Sequence, residues 1–258
     1  MNEQAVRSLS KHFVSLCWTD PSSTIENVRH QAYSGFVVSI RRRWALVTAG
    51  HILGRINRAI DGGQCLAGWT LDDGWTLDGH FDDAIPFDLA SAPRIVLGEE
   101  AIDYGVIGLA PPFARLLEKN GIEPMDERHW KPKWPEQFDS YVMLGLPTQE
   151  IVHAGNGFVQ KAVVTLPVTP LANPPDTLVD PKVPRFYGTI ELPDDAELHL
   201  SDIDGMSGGP VFGFKMVNGE SRYWIVGIQS GWLREERAIV ACYLEPLLRA
   251  FDRAFATD

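Results

Sequence analysis

The segment Asp204-Gly205-Met206-Ser207-Gly208-Gly209-Pro210-Val211-Phe212 sets a serine among three glycines, directly ahead of a strand-like run. Glycine reaches backbone conformations closed to other residues. Such a turn can project the Ser207 hydroxyl while directing the N–H groups of Gly205 and Ser207 at one point, the arrangement that acyl transfer through a serine requires. A Gly-rich turn with a serine also serves structural ends, so the chemistry needs partners. A hydroxyl needs a base to act near neutral pH. Among the seven histidines, His51 ends the run Trp44-Ala-Leu-Val-Thr-Ala-Gly-His51, an apolar strand that passes through small residues into a short helical turn at residues 52–54. His12, His30, His80, His129, His153 and His199 have no comparable setting and read as surface or structural residues. Asp103 leads the otherwise apolar run Ala101–Leu109. Burying that acid is costly unless its charge is hydrogen-bonded, and an imidazole such as His51 would supply the partner.

The elements that must hold these residues are short and β-rich. Runs enriched in Val, Ile, Phe, Tyr and Trp occupy Phe13–Trp18, Gly35–Ile40, Trp44–Thr48, Ala101–Leu109, Ser140–Leu144, Gly157–Leu166, Thr189–Leu192, Pro210–Phe214, Tyr223–Gln229 and Ala238–Cys242. Many short strands separated by turn residues predict a sandwich or barrel. Residues 3–12 fit a short helix. Glu245–Phe255 places Leu247, Leu248, Phe251 and Phe255 at helical spacing and predicts a C-terminal amphipathic helix. Pro111–Pro135 reads as the link between two halves, residues 12–115 and 135–258, and Pro167–Pro184 as an exposed loop. Arg41-Arg42-Arg43 fits a hairpin turn. The stretch Ala59–Pro93 is acidic without Lys or Arg, and its echo Trp69-Thr-Leu-Asp-Asp-Gly74, Trp75-Thr-Leu-Asp-Gly79 suggests a hairpin in a solvated region.

In the order His, Asp, Ser, these segments resemble the motifs of the trypsin-like (chymotrypsin-fold) serine peptidases. Leu46-Val-Thr-Ala-Gly-His51 is similar to the family's "LTAAH", Ile102-Asp-Tyr-Gly-Val-Ile107 to "DIALL", and Gly205-Met-Ser-Gly-Gly-Pro210 to "GDSGGP". Ser34-Gly-Phe-Val-Val38 and Val226-Gly-Ile-Gln-Ser-Gly231 echo "GSGFLV" and "VGIVSWG". The resemblance implies an all-β protein of two six-stranded antiparallel barrels with a C-terminal helix. It makes Ser207 the nucleophile, His51 the base, Asp103 its orienting acid, and the Gly205 and Ser207 N–H groups the oxyanion hole. It implies that Ser230 lines the cleft near Asp103, that Ser201 floors the specificity pocket, and that Gly231-Trp232, in reversed order, form its wall with the indole narrowing the entrance. Asp202 and Asp204 are the acids closest to that floor. Met206 stands where zymogen-activated members carry an acid that pairs with a new α-amino group. That departure and the lack of paired cysteines place the chain nearer to intracellular bacterial-type members.

Composition agrees with a soluble globular protein. The 258 residues are 45% hydrophobic and 22% charged, enough for a substantial core. With 23 Lys and Arg against 34 Asp and Glu, the net charge of -11 argues against a nucleic-acid partner. No apolar run has the length of a membrane span. Charges within Met1–Lys11 do not fit an export signal, and the widely spaced Cys17, Cys65 and Cys242 fit a reducing compartment. The expected location is the cytoplasm. Asp202-Ile-Asp-Gly205 lacks the further ligands of a calcium loop, and no cofactor is expected. The expected partner is a protein or peptide substrate, with any regulatory protein left unspecified. Two rivals remain open: a non-catalytic peptide-binding module on the same fold, and an esterase using the same triad.

Overall fold

The computed structural model describes residues 3–24, 29–74, 84–99, 102–130, 134–155, 158–178, 183–192 and 200–256. Its first half runs α1 (Glu3–Ser10), β1 (Ser15–Thr19), β2 (His30–Tyr33), β3 (Phe36–Ile40), β4 (Arg43–Thr48), α2 (Gly50–Asp61), β5 (Trp69–Asp72), β6 (Ile85–Pro86), β7 (Arg94–Glu99), β8 (Ile102–Leu109) and α3 (Pro111–Lys119). The second half holds β9 (Ser140–Gly145), β10 (Ile151–Gly155), β11 (Phe158–Lys161), β12 (Val164–Pro170), β13 (Arg185–Ile190), β14 (Pro210–Val217), β15 (Glu220–Leu233), β16 (Ala238–Tyr243) and α4 (Glu245–Ala254).

The all-β class and the C-terminal helix are borne out. In the second half, β12, β13, β16, β15, β14 and β9 close into a six-stranded barrel. The first half is built differently from a single six-stranded ring: its described strands form two four-stranded sheets, β2-β1-β5-β6 and β3-β4-β8-β7. A bridge between Phe13 and Phe36 joins the sheets at one corner. Val14, Leu16, Val37, Leu46, Leu53, Leu71 and Ile107 fill the space between them. Full burial of such side chains contributes roughly 1.5–3 kcal/mol each.

Local sequence explains where the expectations and the structure differ. The helical turn after His51 continues to Asp61, because Ile52, Leu53, Ile56 and Ile60 form one buried stripe. The segment read as a linker begins with α3, since Pro111 and Pro112 occupy first-turn positions that need no N–H partner. The Pro-rich stretch starts as strand, with β12 extending through Pro170 before the loop begins. Arg41 and Arg42 do form the expected hairpin turn, both with left-handed φ (50° and 64°), between β3 and β4. The second half of the Trp-Thr-Leu-Asp echo, like His80 and His199, lies outside the described residues. β5 pairs instead with β6.

His12 is buried at the junction of the halves. Its Nδ1–H donates to the Glu123 carbonyl (2.6 Å), and the Tyr223 hydroxyl donates to Nε2 (2.7 Å). Burial pushes its pKa down to about 3 and the Tyr223 phenol up to about 12. The unfolded chain therefore takes up a proton near the ordinary imidazole value of about 6.5, while the folded chain takes it up only near 3. Stability from this site is complete above the unfolded value and is lost as pH falls toward the folded one. Burial also lowers His129, which stacks on Tyr223 and adds in the same direction. Urea midpoints should fall between pH 6.5 and 4, less steeply for His12→Asn, which keeps a donor for Glu123. Equal slopes in the two proteins would assign the acid sensitivity to other groups.

Candidate active site

β4 delivers the chain into α2, and its pairing with β8 (Thr48 with Gly105, Val47 with Val106) brings the start of β8 alongside the first turn of α2. Asp103 and His51 meet there. The His51 Nδ1–H donates to Asp103 Oδ2 at 2.8 Å, and the His51 backbone N–H donates to Oδ1 at 2.6 Å. The Asp103 side chain is 13% exposed and that of His51 40%, so one largely buried acid fixes both the ring and its backbone. Ala49, the residue preceding α2, offers no side-chain cap. Asp103 caps the helix from another strand, where a negative charge also favours the N-terminal end. Gly50 makes this approach possible, because a Cβ there would lie 2.9 Å from Asp103 Oδ1 and 2.8 Å from the Leu97 carbonyl.

The serine turn packs against the same strand end. Gly208 has φ +94°, and a Cβ on it would lie 2.4 Å from Thr48 Oγ1 and 3.0 Å from the Ala49 nitrogen. Ser207 therefore sits beside the residues that lead into His51. Its hydroxyl makes no hydrogen bond to the imidazole among the described residues, and such bonds are often long before a substrate is bound. The backbone of the turn is more informative. Gln149 Oε1 accepts from the N–H groups of Ser201 and Asp202, and Asp202 Oδ1 accepts from those of Ile203 and Asp204. Met206 donates to the Ile203 carbonyl, Gly208 to Gln229 and Gly209 to Met206. Within Ser201–Gly209, only the Gly205 and Ser207 N–H groups donate to no acceptor among the described residues.

Both free groups are aimed. In a trans peptide the N–H points opposite to the preceding C=O. The Asp204 carbonyl accepts from the Thr148 N–H (2.7 Å), which turns the Gly205 N–H away from Thr148, and the Met206 carbonyl accepts from Gly209 (2.9 Å), which does the same for Ser207. Between them, the Gly205 carbonyl accepts from the hydroxyl of buried Ser34 (3.0 Å), whose oxygen in turn accepts from the Leu146 N–H (2.9 Å). Ser34, Thr148 and Gln149 are positioning residues that sequence reasoning missed. They are distant in sequence from the turn, and only the "GSGFLV"-like segment marked Ser34 at all.

No protein-family model matches the chain, and no curated protein matches it. Solved structures do. The inactivated protease paralogue S-I1 of the scabies mite aligns over 98% of this chain and 97% of its own, with a TM-score of 0.52 and 11% identity. The thermostable serine protease AL20 from an extremophilic microorganism gives 0.49 over 96% and 99% at 13% identity. The catalytically inactive tobacco etch virus protease, complexed with substrate, gives 0.47 over 96% and 85% at 13% identity. The end-to-end match to the mite protein adds to the barrel already described. The chain has a chymotrypsin-like protease fold. At 11% identity the likeness carries the fold alone, and a relative described as inactivated leaves activity to the chemistry of this site.

Within the protease fold, Met206 takes over a structural task. It is fully buried, and its side chain packs so closely on Gly145 that a Cβ there would lie 2.9 Å from Met206 Cβ. Apolar packing of Met206 in the barrel core thus anchors the serine turn at this position.

The expected specificity residues are only partly brought together. Ser201 is exposed, with its backbone on Gln149. Asp202 and Asp204 both pair with the Arg234 guanidinium, so neither carboxylate is free, and the calcium-loop hint dissolves into turn and ion-pair contacts. Ser230 lies at a bulge in β15, and its hydroxyl contacts the Val240 carbonyl (3.4 Å) and Cys242 Sγ (3.6 Å). It makes no hydrogen bond to Asp103 among the described residues. The bulge also changes the register of Gly231-Trp232, and the Trp232 indole packs against the barrel core with a buried Nε1.

Proposed function

We propose that the protein is a serine endopeptidase that works through an acyl-enzyme. Ser207 Oγ attacks the scissile carbonyl as His51 takes its proton, and Asp103 holds Nδ1–H so that Nε2 is the basic nitrogen. The oxyanion sits on the Gly205 and Ser207 N–H groups. His51 then returns the proton to the leaving amine, and water releases the acyl group by the same route. Nucleophile, base and donors all come from the chain itself. The observation that carries this reading is the pair of aimed N–H groups without acceptors, at the two positions an oxyanion would need.

Among the described residues, β15 pairs with β14 only as far as Ile228, while Gly231, Trp232 and Leu233 pair with β16 and with no other strand. Their other edge supports an extended peptide added as a strand. With Asp202 and Asp204 held by Arg234, neither of these two carboxylates is left to offset desolvation of a basic side chain, which favours uncharged residues at the primary site. Kinship with intracellular bacterial-type members is part of the same proposal and rests on Met206. The free thiols Cys17, Cys65 and Cys242 support a reducing compartment, here the cytoplasm. No helix among the described residues is long and apolar enough to cross a membrane.

A second reading, a peptide-binding module, draws support from the absent Ser207–His51 hydrogen bond. A fluorophosphonate probe separates the two, because only a serine with a base and an oxyanion site reacts quickly. Labelling of the full chain at Ser207, located by peptide mass spectrometry, is expected without prior proteolytic trimming. A folded protein that stays unlabelled from pH 7 to 9 would leave the binding module as the better account.

A further inference from the structure

Away from the catalytic cleft, one face of the sheet β3-β4-β8-β7 borders a cavity of about 920 Å³ that also touches α3 and α4. Cross-strand partners define this face: Val38 lies opposite Ala45, Ala45 opposite Gly108, Val47 opposite Val106, and Val106 opposite Ile95. The opposite face, with Val37, Leu46 and Ile107, belongs to the core between the sheets. Ala45, at the centre of the face, carries little bulk, while Pro93 covers Gly108, where a Cβ would lie 3.1 Å from Pro93 Cγ. Phe251 and Phe255, stacked on each other along α4, form a second wall, and Ala114 of α3 closes the third. The volume falls in the roughly 300–1,000 Å³ range of small-molecule sites.

The rim has the opposite character to the chain as a whole. In a protein of net charge -11, the side chains of Arg42, Arg43 and Arg115 border this cavity, with Glu118 as the acid among its lining residues; Arg94 also touches it, but from a strand position opposite Ile107, with its side chain turned to the other face. Arg94 is committed to Asn57 and to loop carbonyls, and Arg43 lies over the Phe255 ring at 4.5 Å. Arg42 and Arg115 are exposed and make no ion pair or hydrogen bond among the described residues. Arg42 also adopts φ +64° in a turn that favours Asn or Gly, so a guanidinium is carried at the rim in spite of a backbone preference against it.

The geometry points to a binding site for an amphiphile with a long acyl chain and a single anionic head, a free long-chain carboxylate, with the chain in the apolar cavity and the head between Arg42 and Arg115. The site is independent of the peptidase reading, since its test reads binding alone and is run equally on Ser207→Ala protein.

Isothermal titration of the full chain with dodecanoate, below its micellar concentration, is expected to show one saturable site. Ala114→Trp, or Ala45→Leu from the opposite wall, should weaken dodecanoate and dodecanol alike by at least about tenfold. Arg42→Asn combined with Arg115→Gln should weaken dodecanoate about tenfold and leave dodecanol within about twofold, because only the charged head is lost. Asn suits the left-handed conformation at position 42, and circular dichroism checks that each variant is folded. Lack of saturable binding overturns the proposal. So does dodecanoate affinity unchanged in folded filling variants, or unchanged in the double arginine variant. Binding only to vesicles of anionic lipid would make the face a membrane contact and would also overturn it.

Discussion

Ser207→Ala is expected to lower kcat on a cleaved peptide by on the order of 10⁶-fold while leaving the fold intact. The chemical part follows from the nucleophile: without Oγ no acyl-enzyme forms, and only the oxyanion donors and substrate positioning remain, a residue of about 10³–10⁴-fold over water. The structural part follows from the environment. The hydroxyl is half-exposed and makes no hydrogen bond among the described residues, so its removal should change stability by less than about 0.5 kcal/mol. The N–H groups of Gly205 and Ser207 belong to the backbone and stay aimed, because the Thr148, Gly209 and Ser34 contacts do not involve Oγ. Peptide affinity should therefore survive in the variant. Measuring kcat by single turnover and affinity by fluorescence anisotropy on the same protein separates the two effects. Wild-type-like turnover by Ser207→Ala would remove the acyl-enzyme mechanism altogether.

The parts of this site that were legible in sequence are those whose function is local. A serine in a glycine turn, a histidine at the end of a strand and an acid leading an apolar run each carry a signal within a few residues, and the order His51, Asp103, Ser207 made the resemblance specific. The strands near these motifs were legible for the same reason: β3, β4, β8, β14 and β15 are dense in β-branched and aromatic residues. What lay hidden depends on contacts between residues far apart in the chain. Nothing near Ser34 announces that its hydroxyl will hold the Gly205 carbonyl, 171 positions away, and nothing near Arg234 announces that it will occupy Asp202 and Asp204. The edge strands β2 and β6 carry too few apolar residues for a pattern; in β2 only Ala32 is buried. The helix α3 was concealed by its prolines, which read as breakers unless the first turn is recognised. That the described strands of the first half pair as two four-stranded sheets is a matter of register, which periodicity alone does not determine.

Asp103→Asn should reduce kcat on the order of 10⁴-fold with the protein still folded. The reason lies in the two bonds that the carboxylate accepts from one residue, the ring Nδ1–H at 2.8 Å and the backbone N–H of His51 at 2.6 Å. An amide has one acceptor and one donor side. If its oxygen stays on the backbone N–H, its NH₂ faces Nδ1, which must then accept; the proton moves to Nε2, and the nitrogen meant to receive the serine proton is blocked. If the amide turns over, the ring regains its acceptor, but an NH₂ then faces the backbone N–H and the first turn of α2 loses its cap. Loss of such a cap costs about 0.5–2 kcal/mol. The first orientation keeps the helix and loses the base, so kcat and the fluorophosphonate labelling rate should fall together, with the urea midpoint little changed. A fall in stability of that size with activity largely kept would indicate the turned-over amide, whose oxygen still orients the ring, whereas a loss of activity below tenfold with the urea midpoint unchanged would show that His51 does not depend on an acid at position 103.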